Sequence, residues 1–208
     1  MNVEYLLLAA ELIGTIAFAI SGVLVAIEKD LDFFGALVLG LVTSFGGGVL
    51  RDVMIGQNPP VIFTNPIFAT VALLTSAAVF WLVYFLGNRI DFEHGHLMHV
   101  INISDALGLG VFVTIGVDAV LTAPAPMNEN ALLAVFIGTI TGVGGGVLRD
   151  TLVGSTPLIL RKRIYAVAAI LGSIVYYALF RLGVSAVITL PAAVLFVVVI
   201  RKLYIVSC

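Results

Sequence analysis

The chain alternates long apolar runs with short polar breaks, giving seven runs at about 4 to 27, 36 to 56, 66 to 87, 102 to 121, 131 to 153, 163 to 181 and 185 to 204. Each run is close to the roughly 20 residues that a helix needs to cross about 30 Å of hydrocarbon. The breaks carry helix-ending and polar residues: Glu28 to Asp32, Asn58-Pro59-Pro60, Gly87 to His99, Pro124 to Asn130, and Arg161 to Arg163. Only Arg181-Leu182-Gly183 separates the sixth run from the seventh. The expected fold is an all-α integral membrane protein with seven transmembrane helices, forming a single transmembrane domain over residues 1–208.

Composition supports a bilayer as the solvent. The 208 residues are 61% hydrophobic and only 11% charged, and the mean hydropathy is +1.19, beyond what a water-soluble core requires. With a net charge of −2 and no basic stripe, nucleic acid binding has no foundation. The single cysteine, Cys208, excludes an intramolecular disulfide and a thiolate metal cluster. The first run is read as a retained span and not a signal peptide, because no Lys or Arg precedes it and Glu4 and Glu11 interrupt the pattern. With the N-terminus outside, Lys29, Arg89, Arg161, Lys162, Arg163, Arg201 and Lys202 fall on the cytoplasmic side and only Arg181 falls outside. The C-terminus is then cytoplasmic.

Displacing the chain on itself by about 98 positions lays Gly46-Gly47-Gly48-Val49-Leu50-Arg51-Asp52 on Gly144-Gly145-Gly146-Val147-Leu148-Arg149-Asp150. Ala36, Gly40, Thr43, Gly56 and Pro59 coincide with Ala134, Gly138, Thr141, Gly154 and Pro157. One repeat covers about 4 to 87 and the other about 102 to 181, and the extra helix at 185 to 204 stands outside them. Three spans per repeat make the second enter the membrane from the opposite side, so the three-plus-three repeat is inverted.

A glycine in a helix interior costs about 1 kcal/mol relative to alanine, so each triplet is expected to bend or unwind helices 2 and 5 of the bundle near mid-membrane. Freed peptide groups are tolerated only where they are buried in protein or line a water-filled cavity. The alternative is close helix packing by small residues. Arg51 and Asp52 lie roughly 7 Å beyond the first triplet, and Arg149 and Asp150 lie equally far beyond the second, so each mouth of a path carries one Arg and one Asp. Adjacent helical residues point apart, and partners for all four are expected on other helices. The pairs either line the path or lock the helices together. Thr43, Ser44 and Thr141 precede the triplets and serve ions or interhelical hydrogen bonds.

Glu11 and Asp105 have no acidic counterpart at the 98-residue displacement, so no symmetric role is expected of them. Asp118 and Glu129 read as solvated loop charges, with attraction of cations to the outer mouth as the alternative. Arg161, Lys162 and Arg163 set topology or hold an anionic lipid headgroup. Glu93, His94, His96 and His99 read as a solvated loop, with metal binding or pH sensing as the alternative. No span carries a His-Glu-x-x-His motif or a Ser-His pair, and the glycine triplets lack the Lys-Ser/Thr of a phosphate loop, so an enzyme is not expected.

The doubled Gly-Gly-Gly-Val-Leu-Arg-Asp motif in an inverted repeat followed by a seventh helix resembles the prokaryotic trimeric intracellular cation (TRIC) channel family. The resemblance implies a homotrimer in a prokaryotic plasma membrane. It also implies one hourglass pore per subunit, kinked at Gly46 to Gly48 and Gly144 to Gly146, that conducts monovalent cations with potassium as the preferred permeant ion and no cofactor. Some bacterial relatives are described as glycine transporters, which keeps a carrier for a small zwitterion as the alternative.

Overall fold

The apolar runs form helices in the computed structural model, which describes residues 3–86, 94–161 and 163–206. In chain order these are α1 (Val3–Glu28), α2 (Phe33–Met54), α3 (Val61–Thr64), α4 (Pro66–Leu86), α5 (His94–Leu121), α6 (Ala131–Leu152), α7 (Leu158–Arg161), α8 (Arg163–Arg181) and α9 (Ala186–Val206). Among the described residues, seven helices are long and apolar enough to cross a membrane: α1, α2, α4, α5, α6, α8 and α9. The helix ends repeat as the sequence does. The Asp32 carboxylate accepts from the Gly35 amide at 2.7 Å, and the Asn130 side chain accepts from Leu133 at 3.0 Å, each filling an orphan donor at the start of α2 or α6. Gly56 and Gly154 follow the two helices with φ of +77° and +67°, and Gly183 breaks α8 from α9 at +75°.

Three expectations are corrected. Helix α5 starts at His94, well before residue 102, so His94, His96 and His99 are helical and not in a loop. Leu97 and Ile101, one turn apart, are buried against Val23, Val25 and Leu39, and this contact extends the helix. Glu93 and Arg89 lie outside the described residues. The short helices α3 and α7, absent from the sequence reading, occupy the turns after α2 and α6.

The third correction concerns the triplets. Helices α2 and α6 are each one continuous α-helix through Gly46 to Gly48 and Gly144 to Gly146, and neither is unwound. Breaking the hydrogen-bond ladder inside a bundle would leave peptide groups without partners, which costs more than the weak propensity of glycine. The glycines instead let the helices touch. A Cβ added at Gly47 would collide with the Thr141 carbonyl oxygen, and one added at Gly145 would collide with the Thr43 carbonyl oxygen. Because Thr43 faces Gly145 while Gly47 faces Thr141, the two helices run antiparallel and their contacts are reciprocal, as a two-fold relation between the repeats requires.

The same reciprocity organises α1 and α5. Gly22 meets Gly40 and Thr43, and Gly116 meets Gly138 and Thr141. Gly14 meets the Phe112 ring, Gly108 meets the Phe18 ring, and the two rings stack with centroids 5.2 Å apart and planes 14° apart. These pairs differ by 94 in number, not 98, since the connection from α5 to α6 is the longer one. Around this centre α4 packs on α1 and α2, while α8 and α9 pack on α5 and on each other.

Candidate functional site

At the end of each central helix the Arg-Asp pair closes on itself, contrary to the expectation that its partners lie only elsewhere. Arg51 Nε donates to Asp52 Oδ1 at 2.8 Å, and Arg149 Nε donates to Asp150 Oδ1 at 2.9 Å. The two side chains leave the helix about 100° apart, but the long arginine folds back far enough to meet the aspartate. The second carboxylate oxygen is used as well. Asp52 Oδ2 accepts from the Val61 amide at 2.8 Å and Asp150 Oδ2 accepts from the Leu158 amide at 3.0 Å, the first residues of α3 and α7. Each aspartate therefore fixes its arginine and the short helix after it in one arrangement.

Beyond this shared unit the two ends differ. In the second repeat Arg149 Nη1 also donates to Ser21 Oγ at 2.6 Å and to Asp105 Oδ1 at 2.9 Å, so the expectation of partners on other helices holds there. Asp105 Oδ2 accepts from Arg201 Nη1 on α9 at 2.5 Å, and the Arg201 guanidinium lies 4.6 Å from the centre of the Tyr165 ring. All four charged groups are buried, with Asp105 fully enclosed. Two carboxylates and two guanidiniums balance, which makes such burial tolerable. Arg201, expected among the cytoplasmic surface charges, thus belongs to the interior.

The first repeat is open where the second is filled. Glu11 occupies the position in α1 that Asp105 occupies in α5, and among the described residues no ion pair or hydrogen bond joins it to a side chain. It lines two adjoining cavities. One, of about 20 Å³, reaches inward past Thr15, Ser44 and Gly48 to Phe68 and Phe112, and is large enough for about one water. The other, of about 440 Å³, widens past Ile55, Gln57 and Asp118. Arg51 borders both. Asp118, expected in a loop, sits in α5 and accepts a hydrogen bond from the Tyr176 hydroxyl at 2.8 Å. Two carboxyl groups, Glu11 and Asp52, share one guanidinium at the small cavity.

The other expected residues divide between packing and cavity. Gly46, Gly47, Gly144 and Gly145 are buried in the α2 to α6 crossing, whereas Gly48 has open space around it. Gly146 is flanked by the Tyr165 hydroxyl and the Asp105 carboxylate. Thr43 and Thr141 are fully buried and donate to Leu39 and Ile137 of their own helices, both at 2.6 Å. Ser44 borders the small cavity and donates to the carbonyls of Gly40 and Thr15. Arg161 and Glu129 are exposed. Lys162 and Cys208 lie outside the described residues.

The family described as glycine transporter matches the chain over residues 8–84 and 102–181, one segment for each repeat. A solved prokaryotic TRIC channel, crystallised in 0.5 M KCl, shares the fold with a TM-score of 0.86 at 34% identity, covering 98% of both chains. This chain belongs to the prokaryotic TRIC channel family. The TRIC orthologue from Rhodobacter sphaeroides gives a TM-score of 0.84 at 28% identity over 97% of this chain and 98% of that one. The inner membrane protein YadS of Escherichia coli is 43% identical over 166 residues, which is 80% of this chain and 75% of YadS. The two TRIC repeat segments start 94 residues apart and end 97 apart. Reading the sequence at one fixed displacement of 98 therefore hides the match of Glu11 with Asp105. Aligning Gly14, Phe18 and Gly22 with Gly108, Phe112 and Gly116 reveals it.

Proposed function

We propose that this protein is a potassium-permeable monovalent cation channel of a prokaryotic plasma membrane, with one path in each subunit of a homotrimer. The observation that carries the reading is the pair of cavities meeting at Glu11 and Arg51, where two carboxyl groups share one guanidinium beside the open face of Gly48. Carboxylates at a constriction raise the local concentration of cations and reject anions. Backbone and hydroxyl oxygens near Thr15 and Ser44 then replace part of the hydration shell. Solved relatives described as TRIC cation channels support the ion, and the R. sphaeroides orthologue, described as trimeric, supports the assembly. The membrane assignment rests on the seven spans and on relatives described as inner membrane proteins. The N-terminus is placed outside by the distribution of Lys and Arg. Arg161, with Lys162 and Arg163, is assigned to anionic headgroups. In planar bilayers the purified protein should give stepwise currents whose reversal potential follows the potassium gradient. A silent bilayer with fully inserted protein would refute the channel.

The second reading is a carrier for glycine or another small zwitterion. It is favoured by the presence of a guanidinium and a carboxyl group, Arg51 and Glu11, on the wall of one cavity, which matches a solute carboxylate and ammonium. It predicts saturable uptake of labelled glycine without unitary currents.

A further inference from the structure

The repeats place equivalent residues at the two ends in different states. Gly48, Val49 and Phe68 border the small cavity of the first repeat. Their counterparts are Gly146, Val147 and Tyr165. Gly48 has nothing within 4 Å of an added Cβ, whereas the same atom on Gly146 would lie 2.9 Å from the Tyr165 hydroxyl and 3.5 Å from Asp105 Oδ1. The Tyr165 hydroxyl is buried without a hydrogen-bond partner. Two groups have no equivalent in the first repeat: the Tyr165 hydroxyl, which Phe68 lacks, and Arg201, since α9 lies outside the duplication.

Arg201 is held by fewer groups than Arg149. Arg149 is fixed by Asp150 on its own helix, by Asp105 on α5 and by Ser21 on α1. Arg201 is held by one oxygen of Asp105 and by the face of Tyr165. Its departure leaves Asp105 paired with Arg149, so no carboxylate is stranded. Helix α9 packs mainly on α5 and α8, with Val194 against Gly110 and Val197 against Gly172, and takes no part in the α2 to α6 crossing, so its movement leaves that crossing intact. Its Ile188, Leu195, Val199 and Leu203 are exposed along its outer face.

We propose that Arg201 is a latch: seated on Asp105 and against the Tyr165 ring, it holds the Tyr165 hydroxyl over Gly146 and the second-repeat end of the path closed, and its withdrawal with α9 lets that ring leave and opens a cavity at Gly146 equivalent to the one at Gly48. The released end then carries Asp105 and Asp150 against Arg149, the same grouping as Glu11 and Asp52 against Arg51. The inference rests on the transport reading for its purpose, but its structural content is testable without transport.

The test uses the full chain with Cys208→Ser, reconstituted in vesicles, carrying either Val49→Cys or Val147→Cys as the single thiol. A membrane-impermeant cationic methanethiosulfonate is added to each side in turn. The Val49→Cys thiol should react and the Val147→Cys thiol should be protected. Adding Arg201→Gln should raise the Val147→Cys rate at least tenfold, from the side opposite to that which modifies Val49→Cys, while the Val49→Cys rate stays within twofold. Arg201→Lys, which keeps the charge but loses the planar stacking group, should give an intermediate rate. If Arg201→Gln prevents assembly, Arg201→Lys decides alone. A Val147→Cys rate unchanged by every folded Arg201 variant overturns the latch. Potassium flux is measured in the same vesicles. If the wild type carries no flux while the Arg201 variants still expose Val147→Cys, the channel reading fails and the latch survives.

Discussion

Adding one methyl group to Gly47 tests the purpose of the triplets directly. The new Cβ would run into the carbonyl oxygen, carbonyl carbon and Cα of Thr141. These are backbone atoms of a continuous helix, so no rotamer change relieves the clash, and α2 must retreat from α6 by about 1 Å. A gap of that size forfeits a quarter to a half of the dispersion energy of the facing atoms, and overpacking of this kind costs about 1 to 3 kcal/mol. Alanine regains about 1 kcal/mol of helix propensity. Because the clash is with backbone, the cost falls at the upper end of that range, so we expect Gly47→Ala to lose about 2 kcal/mol net, which lowers the melting temperature by about 4 to 8 °C at the 2 to 4 °C per kcal/mol of a chain this long. Gly145→Ala meets the Thr43 carbonyl in the same way and should match it. The double variant should lose less than the sum, because one retreat relieves both clashes. Gly48→Ala, with open space around it, should keep the propensity gain and melt about 2 to 4 °C higher. The assay is thermal unfolding of purified protein in one detergent, followed by intrinsic fluorescence. If Gly47→Ala melts with the wild type, or if Gly48→Ala falls as far as Gly47→Ala, the glycines are not there for the crossing.

Other outcomes follow from the charge networks and the ring stack. Asp105→Asn leaves Arg201 without its carboxylate and should cost about 3 to 5 kcal/mol, whereas Asp105→Asn combined with Arg201→Met should recover at least about 1 kcal/mol of that loss in a double-mutant cycle of chemical denaturation. Ser21→Ala removes a charge-assisted bond to Arg149 and should cost about 1.5 to 3 kcal/mol, read by the same denaturation. Glu11→Gln should reduce potassium current roughly threefold in dilute salt and much less near 1 M, where the Debye length is about 3 Å; equal loss at both salt concentrations would deny Glu11 an electrostatic role. Phe18→Ala removes one partner of the central stack and a neighbour of Gly108, and should cost about 3 to 5 kcal/mol, seen as loss of folded protein on size exclusion after heating.

The seven spans and the repeat were legible because they depend on properties that survive without coordinates: run length, breaker residues and identity at a fixed displacement. Arg51, Asp52, Arg149 and Asp150 were legible for the same reason, since a charge inside an apolar run demands a built environment. The state of the triplets was not. Glycine weakens a helix and also permits its closest packing, and the sequence carries both meanings until Thr43 and Thr141 are seen opposite Gly145 and Gly47. The equivalence of Glu11 with Asp105 was missed because the connection between α5 and α6 is longer than that between α1 and α2, which breaks any single displacement. Arg201 was missed because a basic residue followed by Lys202 near the end of the last span reads as a topology charge, and only its burial against Asp105 distinguishes it.

The unpaired ninth helix has a consequence for current. A protein made of two inverted repeats of identical sequence could be turned over without changing its energetics, and ions would cross with equal ease in both directions under identical salt. Here one extremity ends in a glutamate lining a cavity and the other in an arginine seated against an aromatic ring. If the proposed path in each subunit conducts, its current should rectify, and the sign of the rectification then reports which extremity faces the cell interior.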